Sequence, residues 1–361
     1  MNTYAGLLLA VTVGFGITRP LALFGADKQE GSPSNTPVNV GNKLPAPCMQ
    51  ITPFEFGAVG DGVADDTKAL QSAVDAAIAR KILLTSPMSA VYAVTAPIEI
   101  RGTLNADFNF AEIRATARMP AVIRYETPKY YTLLRNLRVD GNLMADVCIS
   151  IVRAQKMRLD NMVAGRHLNT ALKIAHGYEI FVQNSHFNGA APDDINREAA
   201  ENTVGIDIST SDCHFSDIVI IDCKTAIANR GFNFYERIHA WTYKPAIIKD
   251  SVCFDLWSNC IISDSYADTF QTCFRLRHKG IQCKLSGCGS YYNERLYKAD
   301  RGHVTPYLFW VDEGNGHGVS IQSSIMRATE AMGGHYSNVE KCAVYTDGSD
   351  SFVRWTGAPE Y

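Results

Sequence analysis

Residues 54–80 read FEFGAVGDGVADDTKALQSAVDAAIAR, and this stretch decides the fold. Apolar residues alternate at Phe54, Phe56 and Val59, which predicts a short strand. The glycine-rich run at 57–62 ends that strand, because glycine admits positive φ at little cost. A helix is predicted near 66–80, with Asp66 suited to the N-cap. Its apolar residues fall on one face, so the helix has one side to bury: Leu70, Ala73, Val74, Ala77 and Ile78.

A four-residue pattern returns along the rest of the chain. A small or Cys residue is followed by an apolar, a variable and an apolar residue at 148–151, 171–174, 205–208, 226–229, 253–256, 273–276 and, with a weaker match, 308–311. The starts of successive copies lie 23, 34, 21, 27, 20 and 35 residues apart. The shorter spacings suit one coil of a solenoid per copy, and the longer ones predict insertions at 189–203 and 290–306.

Each copy is followed by a second short apolar-alternating segment. These segments lie at 157–159, 180–182, 213–215, 260–262 and 283–285. Asn, Asp, Ser and Gly bound them, which indicates β structure rather than helix. A β-sandwich also has short strands, but its strands do not usually return at so regular a spacing. We therefore predict an all-β chain that forms a coil of stacked strands after a starting helix.

The segment FGAVGDGVADDTKALQSAV at 56–74 resembles the entry motif of pectate-lyase-like right-handed single-stranded parallel β-helix proteins. That family includes pectin-degrading enzymes and bacteriophage tailspike depolymerases. The resemblance implies the right-handed parallel β-helix fold with an N-terminal capping helix, and a polysaccharide as the class of partner. It does not specify a reaction, because one fold hosts many chemistries.

Composition agrees with one main domain. The chain has 361 residues, of which 46% are hydrophobic and 20% are charged, with a net charge of −3. No basic patch or nucleic-acid motif is present, which argues against nucleic acid as a partner. We predict an apolar N-terminal segment at 1–26, a linker at 27–50, the β-helix domain at 51–345 and a C-terminal tail at 346–361.

The ten cysteines and the N-terminus bear on localisation. Most cysteines fall at repeat positions that suit small buried side chains, and no C-x-x-C pair occurs, so reduced thiols and assembly in a cytoplasm are favoured over disulfides and over a zinc site. Residues 5–17 are nearly all apolar, a length that matches a signal-peptide core and is too short to span a bilayer. The alternatives are a signal peptide and a segment that docks the protein to a virion.

Strand alternation predicts which side chains face solvent. If Ile149 and Ile151 point inward, the residue between them points outward, and adjacent coils lie roughly 4.8 Å apart. The first outward row reads Ser150, Lys173, Asp207, Ala228, Asp255, Arg275 and Trp310. The second outward row, two residues further along each strand, reads Val152, Ala175, Ser209, Arg230, Trp257, Arg277 and Asp312.

These rows predict a glycan-binding face. Aromatic faces stack on sugar rings, Arg pairs with acidic sugars, and carboxylates supply acid and base. The predicted substrate-binding residues are Lys173, Arg230, Trp257, Arg275, Arg277 and Trp310. Asp207 and Asp255 are two coils apart, roughly 9.6 Å between backbones, near the upper end of the carboxylate spacing for inverting hydrolysis, and are the predicted catalytic pair. The alternative is a solvated salt-bridge ladder that includes Lys173, Asp207, Asp255 and Arg275.

Two further segments are similar to motifs of polygalacturonases. Residues 202–207, NTVGID, resemble NTDGID, and residues 316–321, GHGVSI, resemble GHGxSI. Val204 stands where that family has an Asp, and Lys224–Thr225 stand where its paired Asp lies. His317 is a candidate catalytic proton donor near neutral pH.

Other recurring residues are predicted to be structural. Asn161, Asn184, Asp217 and Asp264 follow the second strands, where amides and carboxylates bond turns and stack from coil to coil. The run Glu236–Trp241 resembles an NxHPW-type segment of some tailspike-like β-helices, with Ala240 in place of Pro. Its Trp241 is predicted either to pack or to bind.

Three functions stay open from the sequence. The first is a tailspike-like depolymerase, a homotrimer on the virion tail, that binds and cuts an acidic or neutral bacterial surface polysaccharide. The second is a secreted polysaccharide lyase or hydrolase, and the third a noncatalytic glycan-binding virion or adhesin protein. No cofactor or metal is predicted, with calcium an option only for a lyase.

Overall fold

Parallel strands stacked in register make up the chain. The computed structural model describes residues 49–189, 202–242, 250–277 and 281–291, together with strands at 307–311, 318–322, 325–326, 344–346 and 352–356. Several predictions fall outside the described residues. They concern the segment 1–26, most of the segment 27–50, both insertions except their edges, and His317.

One 3-10 helix and one α-helix, α1, lie near the start of the described residues, at Pro53–Phe56 and Thr67–Arg80. The strands are, in chain order, β1 (Gln50–Ile51), β2 (Asp61–Asp65), β3 (Leu83–Thr85), β4 (Val91–Val94), β5 (Ile98–Ile100), β6 (Asn105–Asp107), β7 (Glu112–Ala115), β8 (Met119–Tyr130), β9 (Leu133–Asp140), β10 (Ala145–Gln155), β11 (Arg158–Gly165), β12 (Thr170–Ile174), β13 (Gly177–Tyr178), β14 (Phe181–Asn188), β15 (Val204–Ile208), β16 (His214–Ile221), β17 (Thr225–Asn229), β18 (Asn233–Trp241), β19 (Val252–Leu256), β20 (Cys260–Ser263), β21 (Tyr266–Asp268), β22 (Thr272–Leu276), β23 (Gln282–Ser286), β24 (Gly289–Tyr291), β25 (Tyr307–Val311), β26 (Gly318–Gln322), β27 (Ile325–Met326), β28 (Val344–Thr346) and β29 (Phe352–Thr356).

Two sheets run along the coil. Sheet 1 has 11 strands, with the order β28-β25-β22-β19-β17-β15-β12-β10-β8-β5 and β13 paired to β10, and sheet 2 has the other 18 strands. Every pairing with a recorded register is parallel, as in β12 with β15 and β15 with β17. The predicted parallel β-helix is therefore confirmed.

The predicted stacking of the repeats is also confirmed. Ile149 pairs with Leu172, and Leu172 with Ile206 on the next coil. The same column continues through Ile227 to Phe254. All five side chains are fully buried, so one inward column of apolar residues forms the centre of the coil.

The helix α1 packs its apolar face on the first coil, as predicted. Leu70, Ala73, Val74 and Ala77 are buried, and Ile78 packs at the edge of the same core. Asp66 occupies the N-cap, but its carboxylate accepts the backbone N–H groups of Val59 (2.6 Å) and Gly60 (3.0 Å) rather than those of its own helix. Asp66 therefore closes the glycine-rich turn onto the helix start.

The prediction of a strand at residues 54–59 is wrong. The chain forms a 3-10 helix at Pro53–Phe56, where Thr52 and Glu55 form a capping box and Pro53 occupies the first turn. Proline and a capping box both favour a helical turn over the extended strand that the apolar alternation suggested.

The cysteines are packing residues, as predicted. The described cysteines are all buried and unbridged: Cys148, Cys213, Cys223, Cys253, Cys260, Cys273, Cys283 and Cys288. Burial raises the pKa of the Cys148 and Cys213 thiols to about 12. These thiols therefore stay protonated and unreactive at neutral pH.

A residue with positive φ bends or ends the second strand of successive coils: Asn161, Asn184 and Asp217 lie within β11, β14 and β16, and Asp264 directly follows β20. Its φ is 56° at Asn161, 53° at Asn184, 55° at Asp217 and 48° at Asp264, so the chain bends at each predicted turn position. Side chains connect the coils here: Asn161 Nδ2 donates to Asn136 Oδ1 at 2.8 Å. The left-handed conformation suits Asn and Asp because their short side chains bond locally.

We expect Asn161→Ala to lower the free energy of unfolding by about 2 kcal/mol, because alanine loses the inter-coil hydrogen bond and strains at positive φ. Asn161→Gly is the matched control, since glycine loses the bond but accepts the backbone conformation, and we expect about half that loss. Urea titrations of both variants check this. An alanine variant no less stable than the glycine variant would contradict the role of the turn.

His167, in the corner between β11 and β12, is fully buried. Burial lowers its pKa to about 4, and the nearby backbone carbonyl of Asn188 only partly offsets this effect. In the unfolded chain the same imidazole titrates near its usual value of about 6.5. The unfolded chain therefore binds the extra proton between these two pH values.

We expect the protein to lose stability as the pH falls from about 6.5 towards 4, by at most roughly 1.4 kcal/mol per pH unit from His167 alone. The variant His167→Met cannot titrate there, so its stability should fall less steeply over the same window. Urea unfolding of both proteins at several pH values measures the two slopes. Parallel curves would show that His167 does not carry the effect.

Within the described part of the chain, no helix has both the length and the apolar composition needed to cross a lipid bilayer.

Candidate functional site

The first outward row on sheet 1 has the predicted register. Lys173 pairs with Asp207, Asp207 with Ala228, and Ala228 with Asp255. The row continues from Asp255 to Arg275, and from Arg275 to Trp310. Asp207 and Asp255 are therefore two coils apart on one face, as predicted.

The second outward row continues the same hydrogen-bonded ladder just beyond the strands. Arg230 N donates to Ile208 O, Trp257 N to Asn229 O, and Arg277 N to Leu256 O, each at 2.8 Å. This ladder places Arg230, Trp257 and Arg277 side by side on three consecutive coils. We call the set Lys173, Asp207, Arg230, Asp255, Trp257, Arg275 and Arg277 the sheet 1 ridge.

Asp255 is the most buried charged group of the ridge, with 8% of its side chain exposed. Arg277 Nε lies 2.5 Å from Asp255 Oδ1, and Arg277 Nη2 lies 3.0 Å from Oδ2. The indole Nε1 of Trp257 donates to Oδ2 at 3.2 Å. This two-point guanidinium–carboxylate contact fixes the Arg277 and Trp257 side chains to one carboxylate.

Asp207 makes the equivalent contact in a more open setting. Its Oδ1 accepts from Arg230 Nη1, and 20% of the Asp207 side chain and 41% of the Arg230 side chain are exposed. An ion pair this accessible to water is screened and weak. The two carboxylates therefore differ in burial although their partners are equivalent.

Trp257 lies between two guanidinium groups. The Cζ atom of Arg230 is 5.8 Å from the indole centroid and that of Arg277 is 5.0 Å away, and the two arginines come from the coils before and after. Both distances are in the range of cation–π attraction. The indole thus holds two guanidinium groups along the ridge.

The structure brings together Asp207, Arg230, Asp255, Trp257 and Arg277 among the predicted site residues. Lys173 is exposed, and its side chain contacts no other described residue by hydrogen bond or ion pair. Arg275 is half-buried beside Asp255 in register, and Trp310 occupies the next position of the row. His317 lies outside the described residues and stays a prediction.

The ion pairs that join the two rows were not predicted from the sequence. Arg230 follows Asp207 by 23 residues and Arg277 follows Asp255 by 22, so each pair joins one row to the other on the next coil. That repeated offset of about one coil is a signal the sequence contains. It supports the salt-bridge alternative for these carboxylates.

The polygalacturonase-like segment 202–207 runs from a turn into β15. Thr203 is buried, and its hydroxyl oxygen accepts the backbone N–H of Lys224 at 3.1 Å. Val204 pairs with Thr170 and Thr225 on the adjacent coils, so no carboxylate neighbours it in the ladder. This segment therefore lacks the acid pair that the resemblance would require.

Among the residues described, no group of three or more His, Cys, Asp and Glu side chains could hold a metal ion.

Comparisons with known proteins find similar folds among solved structures. No family model and no curated protein matches the chain. Among solved structures, ORF18 of Geobacillus virus E2 matches with a TM-score of 0.56 and 14% identity over 85% of this chain and 61% of that chain. The N-terminal fragment of bacteriophage Phi29 gene product 12 matches with a TM-score of 0.55 and 12% identity over 84% of this chain and 62% of that one.

A polysaccharide-degrading enzyme is also similar. The endo-xylogalacturonan hydrolase from Aspergillus tubingensis matches with a TM-score of 0.50 and 10% identity over 86% of this chain and 96% of that chain. This chain thus spans about three fifths of the two phage proteins and nearly all of the hydrolase. At these identities the matches show a shared parallel β-helix fold.

We expect Arg277→Leu to lower the free energy of unfolding by about 3 kcal/mol, because it leaves the nearly buried Asp255 carboxylate without its cation. Arg230→Leu is the matched control on the exposed pair and should cost less than about 1 kcal/mol. Adding Asp255→Asn to Arg277→Leu should recover part of the loss. Urea unfolding of the variants measures these differences, and equal losses for the two arginine variants would contradict the assignment.

Proposed function

We propose that this protein is a tailspike-like depolymerase that binds a bacterial surface polysaccharide, a capsule or O-antigen, along the sheet 1 ridge and cleaves it by glycoside hydrolysis. The observation that carries the proposal is the charge of the ridge. Four cations (Lys173, Arg230, Arg275 and Arg277) lie with two carboxylates and one indole on consecutive coils. This local excess of positive charge occurs on a chain whose net charge is −3.

The ridge geometry suits a chain of sugars. Adjacent coils are roughly 4.8 Å apart, so a glycan lying along the coil axis meets a new outward side chain at about every sugar residue. Guanidinium groups held on an indole are pre-organised, which limits the entropy lost when they bind a sugar carboxylate. We therefore assign Lys173, Arg230, Trp257, Arg275, Arg277 and Trp310 to binding, and an acidic glycan fits them better than a neutral one.

Cleavage is assigned to Asp207 and Asp255. In an inverting hydrolysis one carboxyl group protonates the leaving oxygen while the other takes a proton from the attacking water, which forms the new bond to the anomeric carbon. Both carboxylates are ion-paired in the unbound protein. Carboxylates of an acidic glycan would compete for Arg230 and Arg277, and so release the Asp207 and Asp255 oxygens for acid and base work.

We expect Asp207→Asn and Asp255→Asn each to lower the rate of cleavage at least about 100-fold, since each removes one proton-transfer group. Asp217→Asn is the matched control, because Asp217 also pairs with an arginine, Arg237, but on a turn outside the ridge. The assay counts new reducing ends released from purified capsules and O-antigens. Wild-type rates for both ridge variants would overturn the pair, and absorbance from unsaturated sugars would indicate a lyase instead.

The second candidate is a noncatalytic glycan-binding virion or adhesin protein. The observation that favours it is that Asp207 and Asp255 are both ion-paired to arginine. Carboxylates in a salt-bridge ladder that stabilises the sheet would be paired in this way and would have no catalytic role. In the same assay such a protein would bind polysaccharide and release no reducing ends. That outcome would also reject His317 as a catalytic proton donor.

The secreted lyase or hydrolase remains the third candidate. The eight described cysteines are buried and unbridged, which supports folding in a reducing compartment and thus a virion protein over a secreted enzyme. Tail-protein partners and a homotrimer belong to the first candidate and rest on the resemblance to tailspikes alone. An intact mass that lacks roughly the first 26 residues would favour secretion instead.

A further inference from the structure

A second group of aromatic and acidic side chains lies on the solvent-facing side of sheet 2. His239 and Trp241 on β18 are half-buried. Ile238, which precedes them, and Ala240, which lies between them, are buried. In register on the next coil, Tyr266 pairs with His239 and Asp268 with Trp241. We call His239, Trp241, Tyr266 and Asp268 the third-strand patch.

The patch has the dimensions of a single sugar ring. Its four positions form a grid of roughly 4.8 Å between coils and 6.6 Å along each strand. The imidazole centroid of His239 lies 4.8 Å from the Tyr266 ring and 6.3 Å from the Trp241 ring, which is within 13° of parallel. Tyr266 Oη lies 3.3 Å from Asp268 Oδ2, so the phenol and the carboxylate meet at one side of the grid.

His239 has an unmet hydrogen-bonding atom. Its Nε2 is buried and has no hydrogen-bond partner in the described chain. Burial lowers the pKa of His239, an effect that Asp268 opposes, so the imidazole is neutral at pH 7. A buried polar nitrogen of this kind is unfavourable until a water molecule or a ligand hydroxyl group meets it.

The surroundings of the patch are apolar on one side and acidic on the other. Val219 and Ile221 on the preceding coil border His239 and Trp241. The patch itself carries one carboxylate and no ammonium or guanidinium group, in contrast to the sheet 1 ridge. A carboxylate accepts hydrogen bonds from hydroxyl groups but repels an acidic sugar.

We propose that the third-strand patch binds a neutral sugar residue and forms a second glycan site on a different sheet from the ridge. The apolar face of the sugar would pack on Trp241, and its hydroxyl groups would donate to Asp268. The inference rests on the proposed function only in that both assign a polysaccharide ligand, since the two sites share no residue.

The test measures binding of the full chain to immobilised capsular and O-antigen polysaccharides of known composition, with mannan and dextran as neutral polymers. We expect Trp241→Ala and Asp268→Asn each to weaken, about tenfold, the binding of polysaccharides that contain neutral residues. His186→Ala is the matched control, because His186 is exposed and occupies the strand position of His239 two coils earlier. Circular dichroism and thermal unfolding check that each variant is folded. If Trp241→Ala does not fold, the nearly isosteric Asp268→Asn still tests the proposal.

The outcomes separate the two proposals. Binding that is weakened by Arg230→Ala on the ridge but unchanged by both patch variants would overturn the second site and leave the proposed function intact. Binding weakened only by the patch variants would support the second site and remove the ridge from the proposed function. If the wild-type chain binds no polysaccharide in the panel, both proposals are rejected.

Discussion

The in-register parallel pairing of successive coils is the constraint on which the rest of the structure depends. From β8 to β25, with β13 excepted, each strand of sheet 1 hydrogen-bonds to the strand of the coil before it and of the coil after it, so a residue is followed by its counterpart one coil later. Buried columns therefore become continuous stacks, as from Ile149 to Phe254, and outward columns become rows of aligned side chains. A one-residue slip would exchange the two. The core and the candidate site are specified by the same backbone pairing.

The corners of the coil have their own requirement. A chain that turns by the same angle on every coil needs the same backbone conformation at each turn, and here that conformation has positive φ. Asn and Asp meet it at most coils, Gly287 meets it without a side chain, and Arg237 meets it in the company of Asp217. An arginine at positive φ is unusual, because its side chain gains nothing locally from that conformation. Its guanidinium group makes two contacts with Asp217, at 2.6 and 2.8 Å.

The amino-acid sequence was sufficient for the architecture because the signal is repeated. Columns such as Cys148, Cys253 and Cys273 show the register directly, and the outward row from Lys173 to Arg275 follows from alternation alone. Features that depend on a single event were harder to predict. The Thr52–Glu55 capping box overrode the alternation at Phe54 and Phe56, and the Asp66 carboxylate bonded to the preceding turn instead of its helix. Trp241 was predicted either to pack or to bind, but its neighbours Tyr266 and Asp268 follow only from the pairing of β18 with β21, which the repeat pattern did not include.

Packing alone does not explain the charges of the ridge. Ala228 occupies the same outward row between Asp207 and Asp255 and is buried, so an apolar side chain fits this position of the coil. Replacing a buried ion pair by apolar residues of similar size is often neutral or stabilising, because removing two charges from water is costly. The stability of the coil therefore does not demand Asp255 and Arg277. The glycan ligand that we propose would account for charge at that place, on the face that also displays Trp257.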